Sequence, residues 1–145
     1  MAKIHVLVND QISAEVLPRI EAVDPRISVT HVGKLMSAEL QGDAGAVRQM
    51  DALLATAEVY AGMRIPARLL SRAPQLKWLQ VTQAGVDRVL LDEELRQSRI
   101  TVSNVGGLHS FAPAEMAIQS CLSWVKGTVE FAGQKEARLW QPFNP

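Results

Sequence analysis

The sequence lacks the features that mark several large classes of protein. It has one cysteine, Cys121, so no disulfide can form within the chain, which agrees with a reducing compartment. Its 15 basic and 15 acidic residues cancel, and no basic run would follow a nucleic acid or an anionic membrane surface. The apolar run at the amino end is too short to span a bilayer and lacks a signal-peptide layout. These absences predict a cytoplasmic protein without nucleic-acid or membrane partners.

Motifs that carry chemistry are equally scarce. His5, His31 and His109 are far apart in sequence and have no Cys, Asp or Glu at ligand spacing, so no metal site is predicted. His109, in a glycine-rich loop, is the one histidine placed to approach a ligand, although a structural role is favoured for it as well. No Walker loop or Ser-x-Gly elbow occurs. The residues alone therefore predict no catalytic, cofactor-binding or metal-binding group in this chain.

Length and hydrophobic patterning predict one α/β fold. A chain of 145 residues with 48% hydrophobic content can bury one sizeable core. Apolar and β-branched runs separated by helical segments, without hairpin turns, predict a parallel sheet with helices on both faces. The five predicted strands fall near residues 3–8, 27–32, 57–60, 76–81 and 100–102.

Helices are predicted where apolar residues recur at three- and four-residue steps. One ends near Asp24, and a second covers the apolar residues Val47, Met50, Leu53 and Leu54. A third starts at Pro66 and is predicted to place Arg68 and Arg72 on a solvated face. The acidic run at 92–94 is interpreted as capping the start of another helix.

A long helix is predicted from Ala112 to about Gly133, with Pro113 in its first turn. Its apolar residues occupy more than one stripe, and Cys121 lies among them as a small hydrophobe. One neighbour cannot cover this surface, so self-association through helix 112–133, burying Trp124 and Phe131, is predicted.

The stretch from Leu76 to Asp87 carries the predicted site. A buried strand is followed by Gly85, which is predicted to permit a backbone geometry that other residues resist, and by Asp87 at a helix start. Free amides beyond the carboxyl end of a parallel strand favour a small anion such as a carboxylate. Arg64 follows another strand end and is placed to reach the same anion. The alternatives are a glycine needed for turn geometry alone and an ordinary surface arginine.

The chain resembles the family of D-isomer-specific 2-hydroxyacid dehydrogenases. The resemblance lies in the order and spacing of Leu76-Lys77-Trp78-Leu79-Gln80, Ala84-Gly85-Val86-Asp87, Val102-Ser103-Asn104 with Gly107, and Ala114-Glu115. Trp124, Gln134 and Trp140-Gln141-Pro142 are similar to members that reduce glyoxylate and hydroxypyruvate.

Membership would imply a flavodoxin-like substrate-binding domain at 1–108 and an interdomain helix and tail at 109–145, leading to a Rossmann domain that is absent here. It would also imply that the backbone amides of Ala84, Gly85 and Val86 bind the carboxylate of a small 2-keto or 2-hydroxy acid. NAD or NADP would bind the parent protein and not this chain alone, which would be inactive because the family's catalytic residues lie in later sequence.

Two functions from other classes compete with this interpretation. One is a non-catalytic flavodoxin-like binding or regulatory module that recruits a partner through the long helix. The other is a receiver-like signalling domain, which is disfavoured because Asn9-Asp10 lacks the acidic cluster and distal lysine that metal-assisted phosphorylation requires.

Overall fold

The computed structural model describes residues 3–13 and 15–142, and their contacts divide them into two compact units. The first unit ends at Gly106 and the second begins at Gly107. No helix in this part of the chain is long and apolar enough to cross a membrane.

The first unit alternates strands and helices along the chain, and its five strands form one parallel sheet in the order β2-β1-β3-β4-β5. The predicted fold class is therefore confirmed. The elements are β1 (Ile4–Val8), α1 (Val16–Glu21), β2 (Ile27–His31), α2 (Gly33–Leu40), α3 (Ala44–Leu54), β3 (Val59–Gly62), α4 (Leu69–Arg72), β4 (Trp78–Val81), α5 (Asp87–Leu90), α6 (Glu93–Gln97) and β5 (Thr101–Ser103).

The core lies on one face of the sheet. Leu7, Tyr60 and Leu79 are register partners on that face, and each is at most 2% exposed. Met50 and Leu54 of α3 belong to the same buried cluster. Complete burial of each large apolar side chain contributes about 1.5–3 kcal/mol, so this face holds the unit together.

The opposite face is more open near β5. Right-handed crossovers in this strand order place α1 on one face and α2 to α6 on the other. Trp78 on the open face is 42% exposed, and its indole Nε1 donates to Ser103 Oγ at 2.7 Å. Ser103 Oγ in turn donates to Gln80 Oε1 at 2.6 Å, so two side-chain hydrogen bonds connect β4 to β5.

Several local predictions need correction. The third strand is Val59–Gly62 and not 57–60, because Ala57 is fully buried in the turn that leads into it. Helix α2 follows β2 directly and is absent from the predicted elements. It buries a single residue, Met36, and one buried position makes no periodic pattern. The capping prediction at 92–94 is confirmed, since the Asp92 carboxylate accepts from the Leu95 amide at 3.1 Å.

Within its described residues, 107–142, the second unit contains two helices where one was predicted. Helix α7 spans Phe111–Val125 and α8 spans Thr128–Glu136. Gly127 adopts a left-handed φ of 62°, which ends α7 because the turn that follows a helix favours this conformation and glycine adopts it freely. The single helix predicted for 112–133 is therefore wrong at 126–127. On α7, Trp124 is 83% exposed and Cys121 is also exposed.

Candidate functional site

The site region is the edge of the sheet where all five strands end. Because the strands are parallel, the segments after β1, β3, β4 and β5 emerge at this one edge. In the order 2-1-3-4-5, connections from β1 and β3 leave toward opposite faces, and a crevice opens between them. A cleft of about 970 Å³ occupies this position, with Asn9, Asp10 and Arg64 among its lining residues.

The turn after β4 presents unpaired backbone amides. Ala84 and Gly85 are exposed and Val86 is half-buried. Among the residues that the structure describes, none accepts a hydrogen bond from the amide N–H of these three. The turn is instead held by its carbonyls, since Asn104 Nδ2 donates to Ala84 O at 2.6 Å and the Val105 amide donates to Gln83 O at 3.3 Å. The loop after β5 thus fixes the turn and leaves its donors available.

The role of Gly85 differs from the one predicted. The described glycines with left-handed φ are Gly42, Gly107 and Gly127, so the prediction of an unusual backbone at Gly85 is wrong. A Cβ at Gly85 would lie 2.8 Å from Asp87 Oδ1. The absence of a side chain at Gly85 therefore leaves room for the carboxylate of Asp87. Asp87 is the first residue of α5, as predicted.

Arg64 and Gly85 line one cleft of about 550 Å³. Ala84 and Val86 flank Gly85 in the chain but are not among the lining residues. Arg64 is exposed, and its guanidinium has no hydrogen bond or ion pair with any residue in 3–13 or 15–142. Arg64 also lines the larger cleft at the crevice, as do Met36 and Met63, so the two cavities adjoin at these residues.

The backbone that carries Arg64 is tightly held, which sequence reasoning missed. Tyr60 Oη donates to Arg64 O at 3.0 Å, and Asn9 Nδ2 donates both to Arg64 O and to Tyr60 Oη, the latter at 2.7 Å. Asp10 Oδ1 accepts from the Met63 amide at 2.9 Å. Burial raises the pKa of the Tyr60 hydroxyl, so this group remains a neutral donor.

One glycine and one histidine near this segment also have defined roles. A Cβ at Gly62 would lie 1.8 Å from Asn9 Oδ1, so the Asn9 side chain requires glycine there. His31 Nε2 lies 2.7 Å from Asp10 O, which links the end of β2 to the same dipeptide. The sequence patterns assign Asn9-Asp10 no role in the predicted site. The detectable signal was a polar pair directly after a central strand, at the edge where ligands bind.

Arg72 does not lie on a solvated face as predicted. Its side chain is 11% exposed and donates to both Glu39 carboxylate oxygens, at 2.7 and 3.0 Å, and to Asp51 Oδ1 at 2.5 Å. The hydrogen bond with Glu39, above all, raises the pKa of the Arg72 guanidinium. This arginine ties α2, α3 and α4 together and is not available to a ligand.

The other candidate groups are dispersed. His5 Nδ1 lies 3.1 Å from Thr56 Oγ1 and His109 is exposed in the second unit. No group of three or more His, Cys, Asp or Glu side chains able to hold a metal occurs within 3–13 and 15–142. What this part of the chain brings together is an arginine and a turn of free amides, an arrangement suited to binding an anion.

Fold and site together define a doubly wound α/β domain with an open crevice at the carboxyl edge of its sheet. Residues 6–139 match the family model described as D-isomer specific 2-hydroxyacid dehydrogenase, catalytic domain. The chain belongs to this family, and the resemblance found in the sequence is confirmed. A comparison with curated proteins finds no match.

Solved structures agree with this assignment. A D-isomer specific 2-hydroxyacid dehydrogenase family protein from Aeromonas salmonicida is 25% identical with a TM-score of 0.65, and the match covers 99% of this chain and 42% of that one. Phosphoglycerate dehydrogenase from Lactobacillus plantarum is 29% identical with a TM-score of 0.51, covering 97% and 42%. D-lactate dehydrogenase from Aquifex aeolicus, 17% identical with a TM-score of 0.58 and covering 97% and 39%, shares the fold. The chain thus spans about two-fifths of the length of these relatives.

Proposed function

We propose that this chain is the substrate-binding portion of an NAD(P)-dependent oxidoreductase that interconverts a small 2-keto acid and its D-2-hydroxy acid. The observation that carries the proposal is the turn at 84–86, whose three amide donors have no acceptor among the described residues and whose Gly85 lines one cleft together with Arg64. Family membership supports the acid as the ligand class.

The proposed role of this chain is to bind and orient the carboxylate. Backbone N–H groups carry partial positive charge and guanidinium N–H groups carry full charge, so both favour a carboxylate over a neutral group. Ala84, Gly85 and Val86 donate to the carboxylate oxygens, and Arg64 supplies the positive charge. The Asp87 carboxylate beside Gly85 opposes an anion, which makes the guanidinium of Arg64 more important for affinity.

The nicotinamide cofactor is proposed to bind the parent protein. Solved relatives that share the fold contain NADPH in one case and NAD with lactic acid in another. None of the strand-to-helix turns in 3–13 and 15–142 has the G-x-G-x-x-G sequence that admits a pyrophosphate, so these residues do not fit a dinucleotide and no catalytic step is assigned to them. The hydride-transfer machinery and the Rossmann domain are assigned to the part of the relatives that this chain does not match.

We propose that residues 1–108 bind the substrate. Residues 109–145 connect this part to the cofactor domain and mediate self-association. Exposed apolar side chains on α7 and α8 support the latter role, with Trp124 and Val129 83% and 76% exposed. Light scattering should then show a dimer or larger assembly, and a monomer at high concentration would contradict this part of the proposal.

The test of substrate binding uses an isotope-labelled sample of this chain and glycolate, the smallest 2-hydroxy acid. Adding glycolate at constant ionic strength should shift the amide NMR signals of Ala84, Gly85 and Val86, whereas glycolamide, its uncharged counterpart, should not. The affinity should be weak, since part of the pocket wall is missing. Shifts confined to other regions would overturn the assignment of the site.

Catalysis offers a second test. We expect this chain alone not to oxidise NADH or NADPH with glyoxylate, hydroxypyruvate or pyruvate. Turnover with any of the three would contradict the proposal that catalysis resides in the unmatched portion.

A further inference from the structure

We propose that Tyr60 and Asn9 are positioning residues that set Arg64 at the cleft for carboxylate binding. This inference rests on the proposed function, since it assigns a role to residues that would not touch the acid. It explains why an exposed, unpaired arginine is carried by one of the most heavily bonded backbone segments of the crevice.

The first step of the argument is the convergence of donors on a single carbonyl. Tyr60 Oη and Asn9 Nδ2 both donate to Arg64 O, and Asn9 Nδ2 also donates to Tyr60 Oη. The three groups form a closed triangle in which the tyrosine hydroxyl uses its one proton on Arg64 O and accepts from the amide. Because the carbonyl carbon is bonded to Cα, holding Arg64 O restricts the position of the Cα from which the arginine side chain extends.

The triangle is anchored in the core. Tyr60 is 0% exposed and its register partners Leu7 and Leu79 are equally buried, so its ring cannot shift without disturbing the packed face of the sheet. Asn9 extends over Gly62, where a Cβ would lie 1.8 Å from its Oδ1. The carbonyl of an exposed residue is therefore held by donors that the sheet itself holds.

The preceding residue is held as well. Asp10 Oδ1 accepts from the Met63 amide at 2.9 Å, while the backbone oxygen of Asp10 lies 2.7 Å from His31 Nε2. Segment 62–64 is thus bonded to the two residues that follow β1 and, through Asp10, to His31 at the end of β2. A preorganised backbone lowers the entropy lost when the guanidinium binds an anion, so these contacts contribute to affinity without touching the ligand.

The experiment is a double-mutant cycle on glycolate affinity, measured by NMR on this chain at constant ionic strength. Tyr60→Phe removes the hydroxyl and keeps the ring. It should weaken glycolate binding about threefold when Arg64 is present, the effect of one lost neutral hydrogen bond. In the Arg64→Ala background the same substitution should leave the affinity unchanged. Thr56→Val removes a hydroxyl that bonds Leu53 O and His5 away from the cleft, and it serves as the matched control.

The outcomes separate the two proposals. If glycolate binds at 84–86 and Tyr60→Phe weakens it equally in both backgrounds, or not at all, Tyr60 is structural and the positioning role is overturned. If glycolate does not bind at 84–86 in the unmodified chain, the proposed function fails and this inference fails with it. Denaturation of each variant is measured in parallel. If Tyr60→Phe does not fold, Asn9→Ala replaces it and should weaken glycolate binding only when Arg64 is present.

Discussion

Arg64, two residues after the end of β3, and Arg72, the last residue of α4, have opposite roles in the structure. Arg72 is 11% exposed, with its donors directed at Glu39 and Asp51. Arg64 is exposed and has no side-chain partner among the described residues, while its backbone carbonyl receives two hydrogen bonds. The fold fixes the guanidinium of Arg72, whereas it fixes only the backbone of Arg64.

This difference separates residues that hold the fold from residues that are free to bind. A guanidinium whose donors are matched inside the chain stabilises the native state and has nothing left for a ligand. A guanidinium on a fixed backbone with unmatched donors contributes little to stability and much to recognition of an anion. Stability and affinity should therefore respond separately to substitutions at the two positions.

The largest effect is expected for Arg72→Ala. Removing the guanidinium leaves the largely buried Glu39 carboxylate without its partner, although Asp51, at 49% exposure, can turn to water. The free energy of unfolding should fall by about 3 kcal/mol. Urea denaturation measures this loss, and glycolate affinity should stay unchanged. Arg72→Lys keeps the charge without the two-pronged geometry and should lose less. An Arg72→Ala variant of unaltered stability would contradict the structural role.

Gly62→Ala should have the next largest effect. The added methyl group would meet Asn9 Oδ1 at 1.8 Å, so Asn9 must move and release both the Arg64 carbonyl and the Tyr60 hydroxyl. We expect a loss of about 2 kcal/mol in the free energy of unfolding, as is typical for overpacking of a buried site. Glycolate affinity should fall with it, unlike the result at Arg72. Retention of both properties would show that Asn9 can move without consequence.

Arg64→Ala should reverse the pattern seen at Arg72. Because the side chain is exposed and unpaired, the free energy of unfolding should change by less than about 0.5 kcal/mol. Glycolate affinity should fall about fivefold, or roughly 1 kcal/mol, as an exposed charge-assisted contact is lost. The loss should shrink at high salt, where the guanidinium is screened. Arg48→Ala, which removes an exposed positive charge from α3, should leave the affinity unaltered. Equal losses in both variants would indicate a general charge effect.

The sequence predicted most of the features that depend on interactions between residues close together in the chain, and it did not predict those that depend on contacts between distant residues. Strands such as 4–8 and 78–81 are local apolar runs, and their parallel order follows from the helices between them. The amide turn at 84–86 was predictable because Gly85 lies four residues after a buried strand and two before a helix start. The break at Gly127 was missed because the apolar pattern continues across it, and pattern alone does not show where one glycine will adopt a left-handed φ.

The contacts that organise the crevice could not be predicted because they join distant residues. Asn9 meets Arg64 across 55 positions of sequence, and Arg72 meets Glu39 across 33. Spacing along one element does not report such pairs, since they depend on which strands become neighbours and in which register. Consequently Arg72 was predicted to be solvated, and Asn9 was not among the predicted site residues.

Gly85→Ala should give the smallest effect, and it contrasts directly with Gly62→Ala. At both glycines an added Cβ would meet a side-chain oxygen, but at Gly85 this atom is Asp87 Oδ1 at 2.8 Å, the exposed end of a flexible carboxylate. Asp87 can rotate into water, and the φ of Gly85 is outside the left-handed region, so alanine fits with a small adjustment. We expect less than about 0.5 kcal/mol of lost stability and at most about a twofold loss of glycolate affinity. The amides that bind the acid remain in place, because Asn104 still holds Ala84 O. Denaturation and NMR titration measure both quantities, and a loss as large as that of Gly62→Ala would show that the turn at 84–86 is as constrained as the segment carrying Arg64.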